Sequence, residues 1–428
     1  MNGVPDLRTL TNFGFHCYQA GNLPQAELTA RLMIRKWGDP ADAHLLLGLI
    51  SLKVQMHDAA IGHFKKAIRG ATNNQQAKTY LGLAKREKDE YQLRVKSQRR
   101  IGPSGASDSP GKFLLIKSWG YGLWSDMDHV LGQLLLAEMT GRTPVVHWGS
   151  NSLYRNEDCD NAFESFFEPV SNVTIRDIAG QGRTCYPPKW SDQNLFDNDV
   201  NKWDGPFSRM SGLYFLNREE NIVVSDFHTY VADLVPWIPS GHPLYGLEPQ
   251  EIYRRFFSSY IKPTSDIYLE IEEFWNRTLR DRNGVAVHVR GSDKIIERPK
   301  LHETNITYYS LIDEYLQGHP DAFVFVLTDS VGTLDEFKHR YAGRLVFTDC
   351  TRSGSDQGVH HQDHRDKRRT GIEVIRDAYL AARCDRFIGN GYSNVSTSIL
   401  HMKHWGSSEY HLMGKNMLFE PNFELHKR

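Results

Sequence analysis

The first hundred residues carry their apolar and small side chains at a fixed interval. Phe13, Leu47 and Leu81 stand 34 residues apart, as do Gly14, Gly48 and Gly82, and Phe15, Leu49 and Leu83. Ala26 matches Ala60 and Ala43 matches Ala77 in the same way. Small residues at a constant interval let paired helices approach closely. The pattern predicts stacked helical hairpins, with turns at 19–22 and 54–58 and one more charged helix over 74–98.

From Lys112 the pattern changes. Residues 112–117 form an apolar run read as a buried strand. A helix follows, capped by Ser125 or Asp126, with apolar positions at Val130, Leu131, Leu134, Leu135 and Met139, and Gly141 ends it. The strand 143–148 completes a βαβ unit, which implies a parallel sheet. Residues 151–250 are rich in Asn, Asp, Gly and Pro and read as loops, short helices and one strand at 222–224. Regular alternation then resumes: helices at 249–260 and 265–280, strand 285–290, helix 307–317, strand 322–327, helix 332–340, strand 344–347, helix 370–383, strand 386–389 and helix 393–402. The expected fold is a pair of Rossmann-like α/β domains facing across a cleft, preceded by an all-α domain. The expected boundaries are 1–100 for the helical domain, 101–111 for a Gly/Ser/Pro linker, 112–250 for the first α/β domain and 251–428 for the second.

The interval of 34 and the run Gly48, Ala60, Phe64, Ala67 resemble tetratricopeptide repeats, two of them followed by an extra helix. An unrelated helical bundle is the alternative. Such repeats present concave surfaces, so a protein partner or a second copy of the chain is expected there.

Composition narrows the classes. The chain has 428 residues, is 40% hydrophobic and 24% charged, and carries a formal net charge of −1, so nothing directs it to nucleic acid or an anionic membrane. It has no apolar run of about 18 residues, so no membrane span is expected. Its N-terminus lacks a basic-then-apolar signal pattern, and its five cysteines are scattered with no CxxC pair. A cytoplasmic protein with reduced thiols is the reading. The Asn-x-Ser/Thr triplets at Asn172, Asn276, Asn305 and Asn394 are then chance occurrences.

Chemistry gathers at strand exits, where open α/β sheets bind ligands. The strand near 285–290 delivers His288, Arg290, Asp293 and Lys294. The next exit carries Asp329, and the last strand runs into Gly389-Asn390-Gly391-Tyr392-Ser393-Asn394 at a helix start. A helix N-terminus with Ser393 suits a phosphate. Arg290 suits a diphosphate through two parallel charge-assisted bonds. Asp377, read near the start of the preceding helix, offers a carboxylate to a guanine edge, or simply stabilises the helix dipole. Gly120 and Gly122, between strand and helix in the first half, permit close approach of backbone to a ligand.

The order of these segments carries a resemblance. HVRGSDK at 288–294, TDS at 328–330 and DAYLAARCDRFIGNGYSNVS at 377–396 resemble the α-1,6-fucosyltransferase and nodulation-factor fucosyltransferase superfamily, as do KSWGYGLWSDMDHVLGQLLLAEMTGRTPVVHWGSN and NAFESFFEPV in the first half. The resemblance spans about residues 112–405 and implies a GT-B-like, inverting glycosyltransferase that moves fucose from GDP-fucose to a hydroxyl. It implies that His288 and Arg290 hold the donor diphosphate, Asp377 reads guanine, and Ser393 with Asn394 meets the phosphate end. Asp293, Lys294 and Asp329 then shape the donor or the catalytic centre, and Glu297 stands near the position of the candidate base. Where many relatives have a second Arg, this chain has Gly291. The acceptor is a glycan, a lipid-linked saccharide or a protein. No cofactor and no metal are implied. The alternatives are a transferase using another nucleotide sugar, or an inactive transferase-like adaptor acting through the repeats.

Other patterns carry less. Asp126-Met-Asp128, Asp158-Cys-Asp160 and Asp197-Asn-Asp199 match a DxD metal pattern that is common in acid-rich chains. His360, His361, Asp363 and His364 suggest zinc or, within a polar aperiodic stretch, a charged loop over the donor. Trp119, Tyr121, Trp124 and Trp148 are sugar-stacking candidates or packed core.

Overall fold

A computed structural model describes residues 6–53, 56–98, 111–198, 212–216, 218–239, 241–291, 301–355, 359 and 366–414. The chain opens with helices α1 (Leu7–Gln19), α2 (Leu23–Trp37), α3 (Ala41–Lys53), α4 (His57–Gly70) and α5 (Gln75–Gln98). Asp6 caps α1 by accepting the Thr9 N–H at 2.7 Å, and Asn22 caps α2 by accepting that of Gln25. The sequence interval has a steric basis. A Cβ on Gly48 would lie 2.5 Å from the Phe64 ring, and one on Gly14 would lie 2.7 Å from Leu46, whereas Gly82 has nothing near it. The first two glycines let helices touch, and the third stands on α5 with no described atom close to it. Helix α3 is apolar all round and buried from Ala43 to Ser51, as the central helix of the array must be.

The first sheet has the order β2-β1-β4-β3 and is parallel throughout. Its strands are β1 (Phe113–Lys117), β2 (Thr143–His147), β3 (Cys185–Tyr186) and β4 (Ile222–Ser225). Helix α6 (Leu123–Thr140) crosses from β1 to β2. It starts at Gly122, earlier than the expected cap, because Asp126 instead turns back to accept the Gly120 and Tyr121 N–H groups. Gly141 ends it in the left-handed conformation, as read from the sequence. One-turn helices α7 (Ile175–Ile178) and α8 (Val231–Leu234) lie in the irregular segment around β4.

Helices α9 (Pro249–Tyr260) and α10 (Ser265–Phe274) lead to the second sheet, and a π-helical turn, Trp275–Leu279, extends α10. This sheet is also parallel, with the order β7-β6-β5-β8-β9. Its strands are β5 (Gly284–Val289), β6 (Phe323–Thr328), β7 (Leu345–Val346), β8 (Arg386–Asn390) and β9 (Tyr410–Met413). Its helices are α11 (Leu301–Gly318), α12 (Val331–Arg340), α13 (Lys367–Arg383) and α14 (Asn394–Met402). β5, β6 and nearly all of β8 are buried on both faces, the mark of a parallel sheet covered on both sides. Strand β9 was not anticipated from the sequence.

One apolar core runs through all three regions. It includes Leu10, Ala26 and Met33 of the repeats, Leu131, Leu135 and Phe215 of the first α/β unit, and Phe325, Leu380 and Ile399 of the second. The repeats are seated on the first unit by a fully buried contact in which the Tyr214 hydroxyl donates to the Glu27 carboxylate. Among the described residues, no helix is long and apolar enough to cross a membrane.

Candidate functional site

A cavity of about 330 Å³ opens between the two α/β units. One wall comes from the start of α6, namely Tyr121, Gly122, Leu123, Trp124 and Ser125. The other is built from the carboxyl ends of the second sheet and the helices that follow them, including His288, Arg290, Asp329, Asp377, Ser393 and Asn394. These expected site residues therefore do come together.

His288 is the fifth residue of β5 and is almost wholly buried. Its Nδ1 lies 2.7 Å from Ser396 Oγ, which accepts the Asn390 N–H at 3.0 Å. With that N–H pointing into the hydroxyl oxygen, the hydroxyl proton favours Nδ1, which puts the ring proton on Nε2. Burial, reinforced by Arg290, depresses this imidazole to about 3, so it is neutral at physiological pH. A neutral ring with a proton on Nε2 is a hydrogen-bond donor to an anion.

Arg290 is the first residue past β5. Its guanidinium bonds to the Asp329 carboxylate, whose other oxygen accepts the Gly291 N–H at 2.8 Å. Asp329 thus orients the strand exit and does not itself suit a phosphate. Gly291 has a steric cause as well: a Cβ there would fall 2.7 Å from that of Ser330. A side chain at this position would have to displace Ser330, and among the described residues of this turn Arg290 supplies the guanidinium.

Ser393 is the N-cap residue of α14, its side chain makes no capping bond, and it is buried on the cavity wall with Asn394 and Val395 beside it. The N–H groups of the first turn of α14 and the Ser393 hydroxyl are donors for an anion.

Asp377 is the eleventh residue of α13, not near its start, so the helix-dipole reading does not apply. Thr348 Oγ1 donates to its Oδ1 at 2.7 Å, and Arg376 Nε reaches the same oxygen at 3.4 Å. Oδ2 is the oxygen left for a ligand. Burial raises this carboxyl, and Arg376, Thr348 and Arg352 oppose the rise.

Other expectations fare differently. Gly122 lines the cavity, but Gly120 does not; its N–H is bound to Asp126 and it shapes the turn. Asp293, Lys294 and Glu297, and the His360, His361, Asp363, His364 cluster, lie outside the described residues. Asp126 is spent on its own loop, Asp128 is buried and burial pushes its carboxyl well above the usual range, and Asp160 pairs with Arg176. Among the described residues no group of three or more His, Cys, Asp or Glu side chains is arranged to hold a metal ion. Trp148 is core, whereas Tyr121 is exposed at the cavity and stacked on Trp119 at 4.8 Å. Sequence reasoning missed Thr348 and Ser396. Thr348 sits two residues past β7, so the strand-exit rule applied to that strand would have found it; Ser396 lies inside a helix and had no such signal.

No model of a protein family matches the chain. Nodulation protein Z of Bradyrhizobium diazoefficiens is 26% identical over 267 residues, which cover 59% of this chain and 68% of that protein. Nodulation protein Z of Sinorhizobium fredii is 25% identical over 281 residues, covering 59% and 79%. Among solved structures, NodZ α-1,6-fucosyltransferase soaked with GDP-fucose has a TM-score of 0.47 and 18% identity over 68% of this chain and 92% of its own. POFUT1 in complex with GDP-fucose has a TM-score of 0.45 and 15% identity over 73% and 99%. The two sequence matches agree with the resemblance to the nodulation-factor fucosyltransferases read from the motifs.

Proposed function

We propose that the chain is an inverting glycosyltransferase that transfers fucose from GDP-fucose to a hydroxyl acceptor. The observation that carries this reading is the convergence of His288, Arg290, Ser393 and Asp377 on one cavity between two parallel α/β units. Likeness to nodulation protein Z supports the same reading.

In this reading the diphosphate lies between Arg290 and the first turn of α14. His288 donates Nε2–H to a phosphate oxygen, and Asp377 Oδ2 accepts from the guanine edge. As the acceptor oxygen attacks the anomeric carbon, the bond to the diphosphate breaks and negative charge grows on the leaving oxygen. Arg290 and the α14 N–H groups are already aimed at that charge, so they stabilise the transition state more than the bound donor. A base must take the acceptor proton, and Glu297 is the candidate. We also propose that no metal is needed, since this positive charge does the work of a cation at the leaving group. The N-terminal helices are proposed to be tetratricopeptide-like and to engage the acceptor or a partner. A reducing, cytoplasmic setting is proposed, supported by five free cysteines.

Calorimetry tests the donor. GDP is expected to bind, and ADP and UDP to bind at least about tenfold more weakly. GDP-fucose is then expected to be turned over in excess chelator. Equal binding of all three nucleotides would overturn the guanine assignment, and activity restored only by a divalent ion would overturn the metal-free one.

A further inference from the structure

Asp377 does not stand alone on the cavity wall. Arg376, next to it on α13, is only 3% exposed although it is an arginine. Its NH1 donates to Glu270 on α10 at 2.6 Å and reaches Asp349 at 3.3 Å, while its Nε points to Asp377. Glu270 is itself fixed, accepting two parallel bonds from Arg369 at 2.8 and 2.7 Å. Arg369 Nε also reaches Glu373, which holds the Thr351 N–H at 2.8 Å. A chain of charges thus runs from α10 through one face of α13 to the loop after β7, and Asp377 is its cavity end.

Such a network is costly to bury unless each member is paired. Glu270 and Arg369 already satisfy each other bidentately, so the core of the network closes without Arg376. What Arg376 adds is a fixed positive group beside the Asp377 carboxylate on the cavity wall. We propose that Arg376, anchored by Glu270, is a positioning residue for base recognition: it holds the Asp377 carboxylate turned so that Oδ2 meets the N–H donors of a guanine edge. This rests on the nucleotide reading given above.

The charge environment makes the claim testable by pH. Facing Asp377 are Arg376 and Glu373 from α13, Asp349, Cys350 and Arg352 from the loop after β7, Glu270 through Arg376, and His288, Arg290 and Asp329 across the cavity. Burial alone pulls the carboxyl toward its protonated form, and the Arg376 guanidinium opposes this most strongly. A protonated Asp377 is a poor acceptor for two N–H groups, so GDP affinity falls as pH drops through the raised carboxyl value. Removing the guanidinium raises that value further and moves the fall to higher pH.

The experiment is calorimetry of the full chain with GDP, ADP and inorganic diphosphate between pH 5 and 8, for wild type, Arg376→Gln and Arg376→Lys. Diphosphate lacks a base and controls for titration of the phosphates. Arg376→Gln is expected to shift the acid limb of GDP affinity upward by about one pH unit and to weaken GDP about tenfold at pH 6, with diphosphate unchanged. Arg376→Lys is expected to recover most of the loss. Equal losses of GDP and diphosphate, or a GDP loss independent of pH, would overturn the assignment. If Arg376→Gln does not fold, Glu270→Gln serves: Arg376 keeps its charge but loses its anchor, and the preference for GDP over ADP is expected to shrink, whereas an unchanged preference counts against the proposal. A wild-type protein with no preference for GDP defeats the functional reading itself; a wild-type preference untouched by these variants defeats only this inference.

Discussion

In the first sheet, β1, β2 and β4 end at Lys117, His147 and Ser225, with Asp226 next; in the second, β5, β6 and β8 end near His288, Asp329 and Asn390. Both sheets are parallel, and both place ionisable side chains at the carboxyl ends of central strands. The first sheet turns them onto its own loops. Lys117 Nζ donates to the Leu195 carbonyl at 2.5 Å, Lys189 holds Asp226 at 3.0 Å, and Ser118 bonds to Asn151 at 2.6 Å. The second sheet leaves His288, Arg290 and Asp329 on a cavity wall. The difference lies in the connections. The irregular segments after β2 and β3 fold back over the strand ends, through Asn151 and through Lys189 and Leu195, whereas β6 and β8 pass almost directly into α12 and α14. A polar strand end is thus necessary for a ligand site in such a sheet, and the next loop decides whether it is available.

The sharpest way to break this comparison is to remove one cation from each sheet. Arg290→Ala is expected to weaken GDP about 100-fold, because charge-assisted bonds of roughly 1.5–3 kcal/mol are lost at the phosphate. Lys117→Met is expected to leave GDP affinity within about twofold. It should also be tolerated in folding, since burial already depresses that amine to about 8 and discourages its charge. Calorimetry on both variants decides, and comparable losses would mean that both strand ends serve the donor. Asp377→Asn comes next. It replaces one acceptor by a donor of the same shape and is expected to cost about tenfold in GDP affinity while leaving diphosphate binding as it was. Unchanged GDP affinity would return Asp377 to a purely structural role.

Local patterns exposed most of this architecture because each element carries its own signal. The interval of 34 marked helix contacts that Gly14 and Gly48 make sterically necessary. The apolar runs at β1, β5 and β6 marked strands covered on both faces. The site was legible where ligand groups sit at strand exits, as His288, Arg290 and Asp329 do. It was not legible where they come from helix interiors or from pairing across the chain. Asp377 was read near a helix start with a helix-dipole alternative, whereas it lies deep in α13, and the chain Glu270, Arg369, Arg376 joins two helices through residues 99 or more apart in sequence. Strand β9 is short and half-exposed, so no apolar run announced it.

The two sheets do share one trait, and acid should reveal it. Burial holds His147 at about 4 and His228 at about 3 in the first unit, and His288 and His401 at about 3 in the second; His63 in the repeats is also near 3. All are neutral when folded and would take up a proton near pH 6.5 when unfolded. Because the unfolded chain binds more protons, stability is full above about pH 6.5 and is lost as pH falls toward these depressed values. The thermal midpoint of the nucleotide-free protein is therefore expected to drop steadily from about pH 6.5 to 4. A midpoint that is flat across this window would show that the histidines are not buried as described.

The smallest expected effect on the nucleotide site lies at the seat of the repeats. A Gly/Ser/Pro linker marked the boundary of the helical domain, and across that boundary Tyr214 and Glu27 are both wholly buried, their side chains are bonded, and the apolar core is continuous. Burial and the adjacent carboxylate push the Tyr214 hydroxyl well above its ordinary range, so it stays protonated and acts as the donor. Tyr214→Phe keeps the ring and removes only the hydroxyl and its bond to the buried Glu27 carboxylate. A loss of roughly 1–3 kcal/mol in chemical denaturation is expected, with GDP affinity unchanged. Glu27→Gln alone separates the charge from the hydrogen bond, and the double variant measures their coupling, expected at about 1 kcal/mol. If the repeats instead move freely on the first unit, Tyr214→Phe should cost almost nothing and the coupling should vanish. If Tyr214→Phe weakens GDP as much as Asp377→Asn does, the repeats reach the donor cavity through the first unit, and the division between a self-contained first sheet and a ligand-facing second one fails.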